Sequence, residues 1–187
     1  MGQRKITPMC LCDTVFETER LAITELYPYF KEDVAGVINV LGDWETAWWY
    51  DVPQIEEWDT AREFLRWGNW NFDGVSQYGI YHKESKEMIG LLQTMDIRGC
   101  KDTIRLGYAL SVESRGKGYM TEAVKAMCEW LFSDRPISKI HCQILPDNEA
   151  SIGVATRSGF TRIELSPDEH DVRNLDGEPV DEYVLYR

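Results

Sequence analysis

The stretch Ser111-Val112-Glu113-Ser114-Arg115-Gly116-Lys117-Gly118-Tyr119-Met120-Thr121 decides how this chain is read. Upstream, Ile104-Arg105-Leu106-Gly107-Tyr108-Ala109-Leu110 has the β-branched and aromatic content of a strand; downstream, residues 120–132 repeat apolar side chains at helical spacing. The stretch is therefore a strand-to-helix turn. A helix start leaves backbone N–H groups without partners and carries the positive end of the dipole, so Gly116 and Gly118 around Lys117 let an anion approach bare amides. Arg115 and Lys117 add charge, although a plain glycine turn with two solvated cations has the same spacing. The third glycine of a dinucleotide site is missing, and so is the Gly-Lys-Ser/Thr ending of a nucleotide P-loop. A pyrophosphate fits.

Residues 16–24 begin to alternate apolar and polar side chains, which predicts a first strand. Phe30, Val34, Val37, Ile38 and Leu41 follow a helical period over residues 28–41, with Gly42 placed to end it, and a second helix is expected over 54–67. Trp44, Trp48, Trp49, Tyr50, Trp58, Trp67 and Trp70 fall around these helices; most read as packed core, the rest as walls of a substrate slot. Residues 78–82 and 88–95 form a hairpin about Lys83-Glu84-Ser85-Lys86. A short strand over 139–145 leads to Asn148, an apt N-cap for a helix running to Ser158 and stopped by Gly159. Strands over 160–165 and 182–186 close the chain, joined through Pro167-Asp168-Glu169-His170-Asp171 and the turn Asp176-Gly177-Glu178-Pro179. With no repeat, low-complexity tract or linker, the expectation is one α+β domain of 187 residues.

Asp and Glu number 32 against 20 Lys and Arg, a net charge of −12, which disfavours nucleic acid and suits a cationic acceptor or simply a soluble surface. Five scattered cysteines and three separated histidines offer neither a disulfide framework nor a metal site. The N-terminus lacks the apolar run of a signal peptide and no stretch is apolar enough to span a bilayer, so a cytoplasmic chain without membrane contact is expected.

Arg115-Gly116-Lys117-Gly118-Tyr119-Met120-Thr121-Glu122-Ala123 resembles the acetyl-CoA motif of the GNAT N-acetyltransferase superfamily. Thr18-Glu19-Arg20-Leu21 is similar to the opening common in its branch of ribosomal-protein N-terminal (RimJ/RimL-like) acetyltransferases, and Asn148, Ser151, Gly159 and Phe160 match the family's N-x-x-S and G-F signature. The resemblance implies a GNAT-like domain over 17–187 behind an N-terminal extension, 1–16, that is mobile or packs on a neighbouring subunit, as in a homodimer. It implies a strongly twisted mixed sheet, flanked by helices, whose central parallel strands, 104–112 and 139–145, splay apart around pantetheine. Acetyl-CoA is the implied cosubstrate, without metal, held by Leu110, Ser111, Val112, Arg115, Gly116, Lys117, Gly118, Tyr119, Met120, Thr121 and Asn148.

The implied reaction is direct attack of a primary amine, a protein N-terminus or a small cationic amine, on the thioester in a ternary complex. A backbone N–H near Leu110 or Ser111 would hold the oxyanion. Many relatives place a Tyr four residues before Gly-Phe to serve the departing thiolate; here that residue is Ala155, and Ser151 takes the role or merely bonds its own helix. Arg105 stands near the place of a Glu base used in some branches, leaving Glu169, His170 and Asp96 as candidates. A resistance-type acetyltransferase acting on aminoglycosides or polyamines, or a catalytically silent acyl-CoA-binding domain, would keep the same turn.

Overall fold

Strand-like alternation along the chain resolves into an eight-stranded sheet of order β1-β2-β3-β4-β5-β6-β8-β7 among the described residues. The computed structural model describes residues 14–68, 74–97, 99–164 and 177–187. β1 (Thr14–Glu17), β2 (Leu21–Glu25), β3 (Val75–His82), β4 (Met88–Asp96) and β5 (Thr103–Leu110) form an antiparallel run. The single expected strand over 16–24 is thus two strands, turned at Thr18, whose amide donates to the Leu21 carbonyl at 2.9 Å. β1 also crosses the boundary placed at residues 16 and 17, so its first residues belong to the sheet.

The sheet changes character at β5. It pairs in parallel with β6 (Lys139–Ile144), but only through Thr103 with Lys139, Ile104 with Ile140 and Arg105 with His141. Beyond Arg105 the two strands part, and among the described residues no strand pairs with residues 106–110 of β5 on that edge. β6 then pairs antiparallel with β8 (Asp181–Tyr186), and β8 with β7 (Thr161–Ile163).

Helices cover both faces. α4 (Tyr119–Asp134) buries Met120, Ala123, Val124, Met127, Cys128 and Leu131, a three-and-four spacing that lays one stripe on Leu106, Ile140 and Cys142. Burial pushes the Cys128 thiol up to about 12, so it packs as an inert apolar group. α5 (Glu149–Arg157) joins α4 on this side, its Ala155 fully buried. On the opposite face α1 (Lys31–Leu41) and α3 (Trp58–Arg66) seal a second core of Val34, Val37, Leu41, Leu65 and Leu91. Both are shorter than expected, starting at Lys31 and Trp58.

A short α2 (Trp44–Trp49) intervenes that the periodicity missed, capped by the Asp43 carboxylate accepting from the Thr46 amide. The tryptophans depart from the core reading: Trp44, Trp48, Trp58 and Trp67 are exposed, while Trp70 lies outside the described residues. No helix among the described residues is long and apolar enough to cross a membrane.

Candidate active site

The turn between β5 and α4 is built for close approach by a ligand. Gly116 and Gly118 adopt φ of +74° and +79°, the left-handed region that glycine enters without a Cβ penalty. A Cβ built on Gly116 meets nothing within 4 Å, and one on Gly118 meets only the Arg20 guanidinium at 3.6 Å, so the space above both backbones is open. Gly118 is the N-cap of α4 and supplies no side-chain cap; the first helical bond runs from the Glu122 amide to the Gly118 carbonyl. The amides of Tyr119, Met120 and Thr121 are therefore left without helical acceptors at the positive end of a 16-residue helix. A diphosphate fits this cradle.

The turn is clamped from outside by residues of the β1–β2 hairpin. Glu122 Oε1 accepts from Thr18 Oγ1 at 2.5 Å and from the Arg20 amide at 3.0 Å, while Oε2 accepts from Arg20 Nε at 2.7 Å. The Arg20 guanidinium also reaches the Lys117 carbonyl at 3.0 Å and stacks over the Tyr119 ring at 4.5 Å. Burial alone would raise the Glu122 carboxyl, but the hydrogen bonds from Thr18 and Arg20 outweigh it and hold it below the ordinary carboxylate range. The Thr18-Glu19-Arg20-Leu21 motif marks these residues in the sequence, but their partner Glu122 lies about a hundred positions away and no local pattern points to it.

Other expected ligand-holding residues have different positions. Arg115 faces α2, donating to Thr46 Oγ1 at 2.6 Å with Asp43 and Glu45 at 3.7 and 3.6 Å. Its side chain thus ties the turn to α2. Met120 is core, and Tyr119 directs its hydroxyl to His82 Nε2 at 3.1 Å, so both offer the ligand only backbone. Lys117 and Val112 are exposed, and Thr121 is half-buried.

Along β5, the Ser111 amide donates to the Ile89 carbonyl of β4 at 2.9 Å and cannot serve as an oxyanion donor; its hydroxyl, buried, bonds Ser114. Alternation along the strand turns the amides of Leu110 and Tyr108 to the other edge, where β6 has parted. A chain of amides can pair there as a strand would.

At the mouth of α5, Asn148 Oδ1 accepts from the Ser151 amide at 3.0 Å. The cap uses one lone pair of this oxygen, and the amide nitrogen remains for a ligand. The Ser151 hydroxyl donates to the Tyr108 hydroxyl at 2.9 Å, and Tyr108 donates in turn to the Ser151 carbonyl at 3.1 Å. Burial raises the Tyr108 phenol well above its usual value, so it stays protonated. Tyr108 bridges β5 and α5 across the split, a contact that the sequence left unmarked. Glu169 and His170 lie outside the described residues. Asp96 pairs with Arg135 at 3.2 Å, on the α4 side and away from the turn.

Residues 24–161 match the family model described as Acetyltransferase (GNAT) domain. The chain belongs to the GNAT acetyltransferases. Among relatives of this GNAT chain, the probable N-acetyltransferase YjcK of Bacillus subtilis is 32% identical over 89 residues, 47% of this chain and 49% of that protein. The [ribosomal protein uS5]-alanine N-acetyltransferase of Escherichia coli is 29% identical over 86 residues, 46% and 44% of the two chains. The aligned stretch spans about half of each of these relatives. Over nearly the full length, the fold matches a putative ribosomal-protein-serine acetyltransferase from Vibrio cholerae with a TM-score of 0.76 at 17% identity, covering 91% of this chain and 96% of that one.

Proposed function

We propose that this GNAT chain transfers the acetyl group of acetyl-CoA to a primary amine, and that the acceptor is the α-amine of a protein N-terminus. One observation carries the cofactor half: the glycine cradle at the head of α4 opens beside the point where β5 and β6 part, so diphosphate and extended arm have adjoining sites. Bound there, acetyl-CoA supplies the acyl group as an activated thioester.

The residues around it divide the work. The amides of Tyr119, Met120 and Thr121 bind the diphosphate, and the free edge of β5 orients the arm. The Leu110 amide, on that edge, is the donor for the carbonyl oxygen as it gains charge. The Ser151 hydroxyl, which donates to Tyr108 at rest, turns its hydrogen to the departing sulfur.

Two features favour a protein N-terminus over a polyamine. The uS5-alanine relative acts on such a terminus, and Arg105, whose Nε is buried without a hydrogen-bond partner, places a cation at the fork of the split. A polyamine, whose second charge must enter the split with the reacting amine, would be repelled there, whereas a peptide's basic side chains can stay outside. The test is a panel of short basic peptides with free alanine or serine N-termini, alongside spermidine and an aminoglycoside, incubated with acetyl-CoA and read by thiol release. Peptide turnover is expected to dominate. Turnover of the polyamine or aminoglycoside with none of the peptide would assign a small-molecule acceptor, and CoA binding with no turnover of any amine would assign a silent binding domain.

A further inference from the structure

On the sheet face opposite α4, around the fork of β5 and β6, lies a polar group that the cofactor site does not use. The in-register pair Arg105 and His141 share this face, since Ile140 and Cys142 turn to the α4 core. Gln143 follows on the same side of β6, directly opposite Glu182 of β8. The Glu182 carboxylate is buried yet doubly bonded: Oε1 accepts from Gln143 Nε2 at 2.6 Å and Oε2 lies 3.2 Å from His141 Nδ1. The His141 side chain is 22% exposed and that of Glu182 only 7%, so the ring is the reachable member of the pair.

Gly107, the next β5 residue on this face, carries no side chain, and the Tyr50 ring after α2 lies over it, with Cε2 at 3.7 Å from where a Cβ would stand. An amine that reaches the split between β5 and β6 from this face enters beside the Tyr50 ring, with His141 on the far wall.

The geometry points to His141 as the base that takes the acceptor amine's proton, with Glu182 as the positioning residue that fixes the ring. The assignment rests on the acetyl-transfer reading above. A buried carboxylate next to Nδ1 selects the tautomer that donates from Nδ1, which leaves Nε2 as an acceptor directed away from β8 and toward the fork. Burial also keeps water from dividing the carboxylate's charge with the ring.

The step balances without any further reagent. The ammonium gives one proton to His141 Nε2 through intervening water; the freed lone pair forms the N–C bond to the thioester carbon. Collapse breaks the C–S bond, the amide nitrogen releases its second proton to water, and the sulfur draws one from solvent by way of Ser151. The imidazolium then discharges to solvent. The charged or titratable groups around the ring are Arg105 on β5, Lys139 on the same face of β6, Glu182 and Tyr186 on β8, and Tyr50 above Gly107.

The test uses the full chain with acetyl-CoA and a short peptide bearing a free N-terminal alanine. H141Q retains a donor for Glu182 but no base, and its single-turnover rate is expected to fall by about 100-fold or more with acetyl-CoA affinity within twofold of wild type. The pH–rate profile of H141Q should differ from that of the wild type, which a purely structural role for the ring would not produce. Imidazole added to H141A should restore rate in proportion to its concentration, and E182Q should lose on the order of tenfold. A wild-type rate and pH profile in H141Q, or a slow H141A with no rescue and an unchanged profile, would overturn the assignment alone. A wild-type protein that neither binds acetyl-CoA nor releases thiol would instead sink the acetyl-transfer reading, and this one with it.

Discussion

Gly116 and Gly118 carry the cradle because their φ values lie where any other residue is strained and because their missing Cβ atoms leave the concavity clear. G116A or G118A should therefore weaken acetyl-CoA binding by about tenfold or more, whereas K117A, an exposed cation, should cost only a few-fold. Calorimetry finding both glycine variants unchanged would remove the diphosphate assignment. At the other end of the split, Ser151 and Asn148 separate chemistry from capping. S151A loses one hydrogen bond while Tyr108 keeps its acceptor, the Ser151 carbonyl, so stability should fall by roughly 1 kcal/mol. Its single-turnover rate should fall about 10- to 1000-fold. N148A, by contrast, removes a helix cap at a cost of about 1 kcal/mol and should leave the rate of the folded enzyme nearly intact. A fully active S151A would mean that the leaving sulfur is served by solvent.

The β1–β2 hairpin and α4 are joined by Thr18, Arg20 and Glu122, which hold the first turn of α4 in place. E122Q should lower both melting temperature and acetyl-CoA affinity, the latter by several-fold. The folded-state carboxyl lies below its ordinary value, so the clamp stabilises the fold at neutral pH. That contribution is lost as the pH falls through the depressed range. The melting-temperature gap between wild type and E122Q should thus be widest at neutral pH and close under acid, and a gap independent of pH would argue against an ionised clamp. Arg115 likewise ties the turn before α4 to the start of α2 through Thr46, Asp43 and Glu45.

For the molecule as a whole, a net charge of −12 should draw basic peptides toward the site. Raising ionic strength from about 0.02 to about 0.2 M shortens the screening length from roughly 20 Å to roughly 7 Å, and kcat/KM for a basic peptide should fall several-fold. An unchanged value would place the acceptor's recognition in short-range contacts alone.

The strand-turn-helix about Gly116, the α4 stripe and the cap at Asn148 were legible because each is local: residues a few positions apart decide them. The branching into two hairpin strands and the short α2 were not, since a turn at Thr18 and a six-residue helix leave little periodicity to read. The sequence by itself determined the fold class and the ligand-facing turn. Tertiary structure alone decided which side chains meet. Arg20 and Glu122 are 102 residues apart, Tyr108 and Ser151 43, and His141 and Glu182 41. No local pattern encodes such pairs; they exist because the sheet order puts β8 beside β6 and lets β6 leave β5 after Arg105.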